Sequence, residues 1–134
     1  MGDFPVTKTD QEWKVQLSPE RYAVLRQAAT EPAFTGELLH MEDDGSFTCA
    51  GCGAVLFSSA SKFNSGCGWP SFDRADGPVI ERQDRSFGMV RTEILCGECG
   101  GHLGHVFPDG PTDTGLRYCV NSLSIEFDPA TDAS

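Results

Sequence analysis

Apolar and polar positions follow two different rhythms along the chain. Up to Thr30 they suit a helix, whereas from Gly45 onward short apolar runs are separated by glycine, proline and aspartate, the punctuation of strands joined by turns. In the lead-in from Val6 to Thr30, Ser18 is placed to cap a helix that has Pro19 first and Glu20 near its positive end. Tyr22, Leu25 and Ala29 fall at i, i+3 and i+7 and predict one modest buried stripe, which Pro32 within Glu31 to Gly36 ends. Two later runs alternate with a period of two: GMVRTEIL sets Val90, Thr92 and Ile94 on one face, and NSLSIEF does the same for Leu123, Ile125 and Phe127. Each predicts a half-buried strand, and the body as a whole reads as antiparallel β. If the last strand runs back in register, Arg117, Cys119 and Asn121 share its inward parity; a turn at Asn121-Ser122 reverses that parity.

With 134 residues and 39% apolar content the chain suits one domain, 1–134, with 1–9 and 129–134 expected to fray. Twenty acidic against ten basic residues give a net charge of −10, which opposes attraction to phosphate backbones, so nucleic acid is not an expected partner. Met1 to Thr9 lacks a basic start and an apolar run, and no later stretch reaches membrane-spanning length. The expectation is a cytoplasmic monomer with no membrane partner. In such a setting the six cysteines point to metal binding or thiol chemistry rather than to a disulfide framework.

Cys49-Ala50-Gly51-Cys52 and Cys96-Gly97-Glu98-Cys99 are two CxxC pairs, each able to present two thiolates from one tight turn. Four thiolates suit a closed tetrahedral zinc site with no open position, and therefore a structural staple between the segment before Ala54 and that after Leu95. His102 can replace one cysteine at ligand spacing from Cys99, and a third reading leaves the thiols buried or oxidised without metal.

Four cysteines assigned to metal leave Cys67 and Cys119. Cys119 lies in RYCVNS, where the Arg117 guanidinium can favour the nucleophilic thiolate. Cys67 lies in SGCGWPS, and glycine on both sides gives it the mobile loop that a resolving thiol needs. His102 and His105 add two imidazoles on a glycine-rich stretch; they face apart in a regular strand and together in a turn. His40 lacks such company and reads as structural.

The residues resemble the B-type methionine-R-sulfoxide reductases. The resemblance runs in order through Cys49-x2-Cys52, SGCGWPSF from Ser65, RTEILCGECGGHLGHVFPDGP from Arg91 and RYCVNS from Arg117, and covers about Asp10 to Phe127. It implies two antiparallel sheets in a sandwich-like or open-barrel core, short N-terminal helices outside, and one structural zinc at Cys49, Cys52, Cys96 and Cys99. It further implies a repair enzyme for oxidised protein or peptide substrates, possibly free methionine sulfoxide as well, with Cys119 attacking the sulfoxide sulfur to give a sulfenic acid. Cys67 then resolves it as a disulfide for a thioredoxin-type reductant. His102, His105 and Asn121 resemble the family's hydrogen-bonding groups, Trp69 its wall for the S-methyl group, and Arg117 and Asp109 its polar side. Two other readings remain: a zinc-ribbon-like interaction module without turnover, and a general disulfide oxidoreductase, which usually keeps both redox thiols in one CxxC.

Overall fold

A computed structural model describes residues 4–85 and 88–130. Two helices come first, α1 (Asp10–Gln16) and α2 (Pro19–Gln27). Thr9 and Glu12 form a capping box on α1, and Ser18 caps α2 by accepting from the Arg21 N–H, with Pro19 in the first turn. Ala28, at φ 57°, ends α2 in the left-handed region, so Ala29 falls outside the helix and the expected Tyr22, Leu25, Ala29 stripe is corrected. The buried face is instead Trp13, Leu17, Val24 and Leu25, contributed by both helices together.

Nine strands follow: β1 (Gly45–Cys49), β2 (Val55–Ser58), β3 (Lys62–Phe63), β4 (Ser71–Phe72), β5 (Val79–Asp84), β6 (Arg91–Cys96), β7 (His102–Phe107), β8 (Arg117–Val120) and β9 (Ile125–Pro129). They form two antiparallel sheets, one ordered β2-β1-β9 and the other β3-β4-β8-β7-β6-β5. The sheets meet through aromatic side chains. Phe57 of the small sheet stacks on Phe72 of the large one with centroids 4.3 Å apart, and Phe47 meets Phe72 edge-on at 5.0 Å. Such pairs contribute roughly 0.5–1.5 kcal/mol beyond their buried area. Leu56, Ile94, Leu103, Val120 and Ile125 complete the core, and α2 lies outside it against β7.

Both alternating runs behave differently from expectation. Val90 precedes β6 and is 65% exposed, while Glu93 to Cys96 are buried on both faces because β5 and β7 flank the strand. Leu123 sits in a 3-10 turn, Ser122–Ser124, which separates β8 in the large sheet from β9 in the small one. Strand continuity therefore does not carry the parity of Phe127 back to Cys119.

Of the ends expected to fray, 1–3 and 131–134 lie outside the described residues. The Val6 N–H donates to the Glu98 carbonyl at 2.7 Å, and Pro129 pairs with Gly45 at the end of β9. No helix among the described residues is long and apolar enough to cross a membrane.

Candidate active site and metal centre

The two CxxC segments fold into matching turns. In each, the N–H two residues after the first cysteine points at that cysteine's sulfur: Gly51 to Cys49 at 3.3 Å and Glu98 to Cys96 at 3.4 Å. In each, the glycine after the second cysteine has a positive φ, 83° at Gly53 and 77° at Gly100, and donates to the first cysteine's carbonyl. The four sulfurs lie within 4.8 Å of one another, with Cys49 to Cys99 at 3.7 Å and Cys52 to Cys96 at 3.6 Å. A tetrahedron with metal–sulfur bonds of about 2.3 Å has edges of roughly 3.8 Å, so the donor set fits a closed four-thiolate metal site. The site joins the end of β1 to the β6–β7 turn and thus the two sheets to each other. Gln16 covers it by donating to the Gly51 carbonyl at 2.6 Å. His102 takes no part; its Nδ1 is 2.6 Å from Glu93 Oε2.

Cys119 lies on β8, between β4 and β7 in the large sheet. Its sulfur is 3.1 Å from that of Cys67 and accepts a hydrogen bond from Arg117 Nη1 at 2.8 Å. Asp109 holds Arg117 with two bonds, 2.8 and 3.0 Å, and the guanidinium lies over the Phe107 ring at 4.5 Å. Asp109 is correspondingly held below the usual carboxylate range, and Arg117 is raised.

The Cys67 loop is already folded over its partner. Glycines at φ 77° (Gly66) and 96° (Gly68) turn the backbone, Phe34 N–H anchors the Gly68 carbonyl at 2.7 Å, and Ser71 Oγ lies 3.4 Å from the Cys67 sulfur. Two thiols at this separation share a proton and carry one negative charge between them. The hydrogen bond from Cys119, aided by Ser65 and Ser71, draws Cys67 down to about 4, while giving that bond and being buried push Cys119 up. Arg117 opposes this by favouring charge on Cys119. Because the guanidinium contact does not depend on the Cys67 loop, Cys119 keeps the charge whenever Cys67 swings aside.

A pocket of about 330 Å³ opens over this pair, and its walls include Trp69, Arg91, His105, Phe107, Arg117 and Asn121. Trp69 Nε1 donates to the Glu31 carbonyl at 3.0 Å, which fixes the indole plane. Asn121, 3% exposed, accepts from the Glu31 N–H at 3.0 Å and donates from Nδ2 to Leu103 O at 3.1 Å, leaving one amide hydrogen. His105 Nε2 meets Asp84 Oδ2 at 2.8 Å. A register shift opposite Ile94 and Leu95 turns both imidazoles to one side of β7, with ring centroids 5.7 Å apart. His102 stays behind this wall, its burial outweighing Glu93 and lowering its pKa.

Cys119, Cys67, Arg117, Trp69, His105 and Asn121 thus line one pocket; Asp109 stands behind Arg117, and His102 is one layer deeper. Sequence reasoning missed Arg91, Phe107 and the carboxylates Glu93 and Asp84. A charged Glu93 inside the apolar run TEILC was the available signal, since buried carboxylates are kept only with partners.

Comparison with known proteins gives one answer. Residues 17–129 match the SelR domain. A peptide methionine sulfoxide reductase MsrB of Leptospira interrogans is 58% identical over 127 residues, covering 93% of this chain and 97% of that protein. Those of Bradyrhizobium diazoefficiens (55% over 129 residues, 95% and 93%) and Thiobacillus denitrificans (58% over 124 residues, 91% and 94%) are similarly close.

Proposed function

Since the chain belongs to the SelR-domain family of MsrB-type peptide methionine sulfoxide reductases, we propose that it returns methionine-R-sulfoxide to methionine through Cys119 and Cys67. The observation that carries this reading is the Arg117 guanidinium 2.8 Å from the Cys119 sulfur, with a second thiol 3.1 Å away, under a pocket walled by an indole.

The Cys119 thiolate attacks the sulfoxide sulfur with its S-methyl group against Trp69, a contact that suits sulfur and methyl groups. The sulfoxide oxygen takes up a proton and passes to Cys119, so that methionine leaves and Cys119 becomes a sulfenic acid. His105 and the remaining amide hydrogen of Asn121 supply hydrogen bonds on that side. His102 acts through its neighbours, as a positioning residue held by Glu93, and Asp109 aims Arg117. Cys67 then attacks the Cys119 sulfur, water leaves, and a disulfide forms. The sulfurs need close by only about 1 Å to reach bonding distance.

At the metal site Cys49, Cys52, Cys96 and Cys99 hold zinc, the metal that four thiolates in tetrahedral array suit, and it serves the fold. The enzyme acts on protein-bound and free substrate as a cytoplasmic monomer, and a thioredoxin-type dithiol returns it to the reduced state.

The test is methionine release from separate R and S epimers with excess dithiol. Turnover of the R epimer alone, abolished in Cys119→Ser and stalled after one equivalent in Cys67→Ser with a thioredoxin-type reductant, is the expected result. No turnover by metal-loaded, reduced protein would favour the interaction-module reading instead.

A further inference from the structure

Cys67 faces two cavities, and Cys119 faces one. The pocket over the pair has both sulfurs in its wall. A second cleft, about 490 Å³, opens beside it and is lined by Asn64, Gly66, Cys67, Asp109, Pro111 and Arg117, without Cys119. We propose that this second cleft receives the reductant, a protein carrying a pair of thiols on an exposed loop, and that its thiolate attacks Cys67 with Cys119 as the leaving group. The inference rests on the reading above, that Cys67 and Cys119 form a disulfide during turnover.

Thiol–disulfide exchange requires the incoming thiolate to approach the attacked sulfur from the side away from its partner, and both access and the leaving group set the rate. The second cleft meets both demands. It reaches Cys67 where Cys119 is not part of the wall, and its rim is exposed at Asn64, Gly66 and Pro111, so a protein loop can enter. Attack on Cys119 would instead require that loop to enter the pocket walled by Trp69, His105 and Phe107, where the substrate side chain binds. Arg117 borders both cavities, and its Nη1 contact on Cys119 at 2.8 Å stabilises the charge that develops there as the bond breaks.

The exchange balances. The reductant's thiolate bonds to the Cys67 sulfur while the Cys67–Cys119 bond breaks, and that electron pair remains on Cys119 as the thiolate beside Arg117. The reductant's second thiolate then attacks its own sulfur in the mixed disulfide. Cys67 leaves and takes a proton, and two electrons have passed to the enzyme. The cycle ends with Cys119 charged and ready to attack. A monothiol can make the first step but must recruit a second molecule for the next, which is why the occupant is a dithiol.

The experiment begins with full-length, metal-loaded enzyme and one equivalent of methionine-R-sulfoxide, counting methionine released and thiols lost. A thioredoxin-type protein with its second redox cysteine replaced by serine is then added, free thiols are alkylated, and the adduct is located by peptide mass. The expected product joins the reductant to Cys67 and leaves Cys119 alkylated. An adduct on Cys119 overturns the inference while leaving the sulfoxide reaction intact; failure to release methionine or to form the disulfide overturns both. Pro111→Trp, which narrows the cleft on a turn without contact to Cys119, gives a second readout. Reduction by the protein dithiol should slow about tenfold, with first-turnover methionine release and reduction by a small dithiol unchanged. No slowing, or equal slowing of all three steps, would refute the assignment.

Discussion

Replacing Arg117 by methionine keeps a long stem to pack on Phe107 but removes the positive charge from the Cys119 sulfur. The effect is read most directly in a Cys67→Ala background, where the shared proton is gone and Cys119 titrates alone. An adjacent full charge lowers an acid's pKa by about 1–3 units, so we take about 2 and set the Arg117 form near 6.5 and the Arg117→Met form near 8.5. At pH 5.5 the thiolate population then differs by about ninetyfold. A higher pKa also makes each thiolate more nucleophilic, by about tenfold for two units at a Brønsted slope of about 0.5. The net loss is about ninefold at pH 5.5 and about 2.5-fold at pH 7. The curves cross near pH 7.5, above which the variant reacts faster. The assay is the pH dependence of alkylation at Cys119, followed by peptide mass to separate it from the metal-site cysteines. Superimposable midpoints would refute the idea that Arg117 sets the ionisation of Cys119, whatever the effect on turnover.

Three further outcomes test other parts of the structure. Stripping metal with a chelator should destabilise the protein by about 5 kcal/mol or more, a fall in Tm of about 20 °C, since the four thiolates join both sheets; an unchanged melting curve would remove the staple role. Glu31→Ala should cost about 2–3 kcal/mol in chemical denaturation, because Leu123 N–H loses its 2.9 Å acceptor, while Glu31→Gln restores most of it. The same alanine variant should alter tryptophan fluorescence if the indole of Trp69 depends on that segment. Gly104→Ala places a Cβ 1.9 Å from the Cys119 carbonyl, so β7 and β8 must part; a cost of about 3 kcal/mol with a larger loss of activity is expected, and full activity would show that Cys119 tolerates the shift.

Spacing carried some of this structure and could not carry the rest. The CxxC pairs were legible because ligand geometry there is local: one turn fixes two sulfurs, and the Ser18-Pro19 start of α2 was legible for the same reason. The Trp13 and Leu25 face was not, since two short helices share it and neither has the period alone. Grouping Arg117, Cys119 and Asn121 was right in outcome, because all three line the pocket, but the continuous-strand argument for it fails at Ser122–Ser124. His102 and His105 meet through a register shift opposite Ile94 and Leu95, which no residue type announces. Asp84 and Arg91 reach the site through pairing of β5 with β6, a long-range choice invisible to local pattern.

The order β2-β1-β9 has a consequence for how the chain is made. Synthesis delivers β1 early, yet one of its partners is the last strand, with Phe47 opposite Phe127 and Cys49 opposite Ile125. Until residue 129 leaves the ribosome, one side of β1 has no backbone partner and the Phe47 ring lacks its final neighbour. The second CxxC emerges before β9 does, so metal can tether the two halves before the small sheet is complete. Closing that loop in advance lowers the entropy lost when β9 finally docks, and shortens the time an unpaired edge is open to another nascent chain.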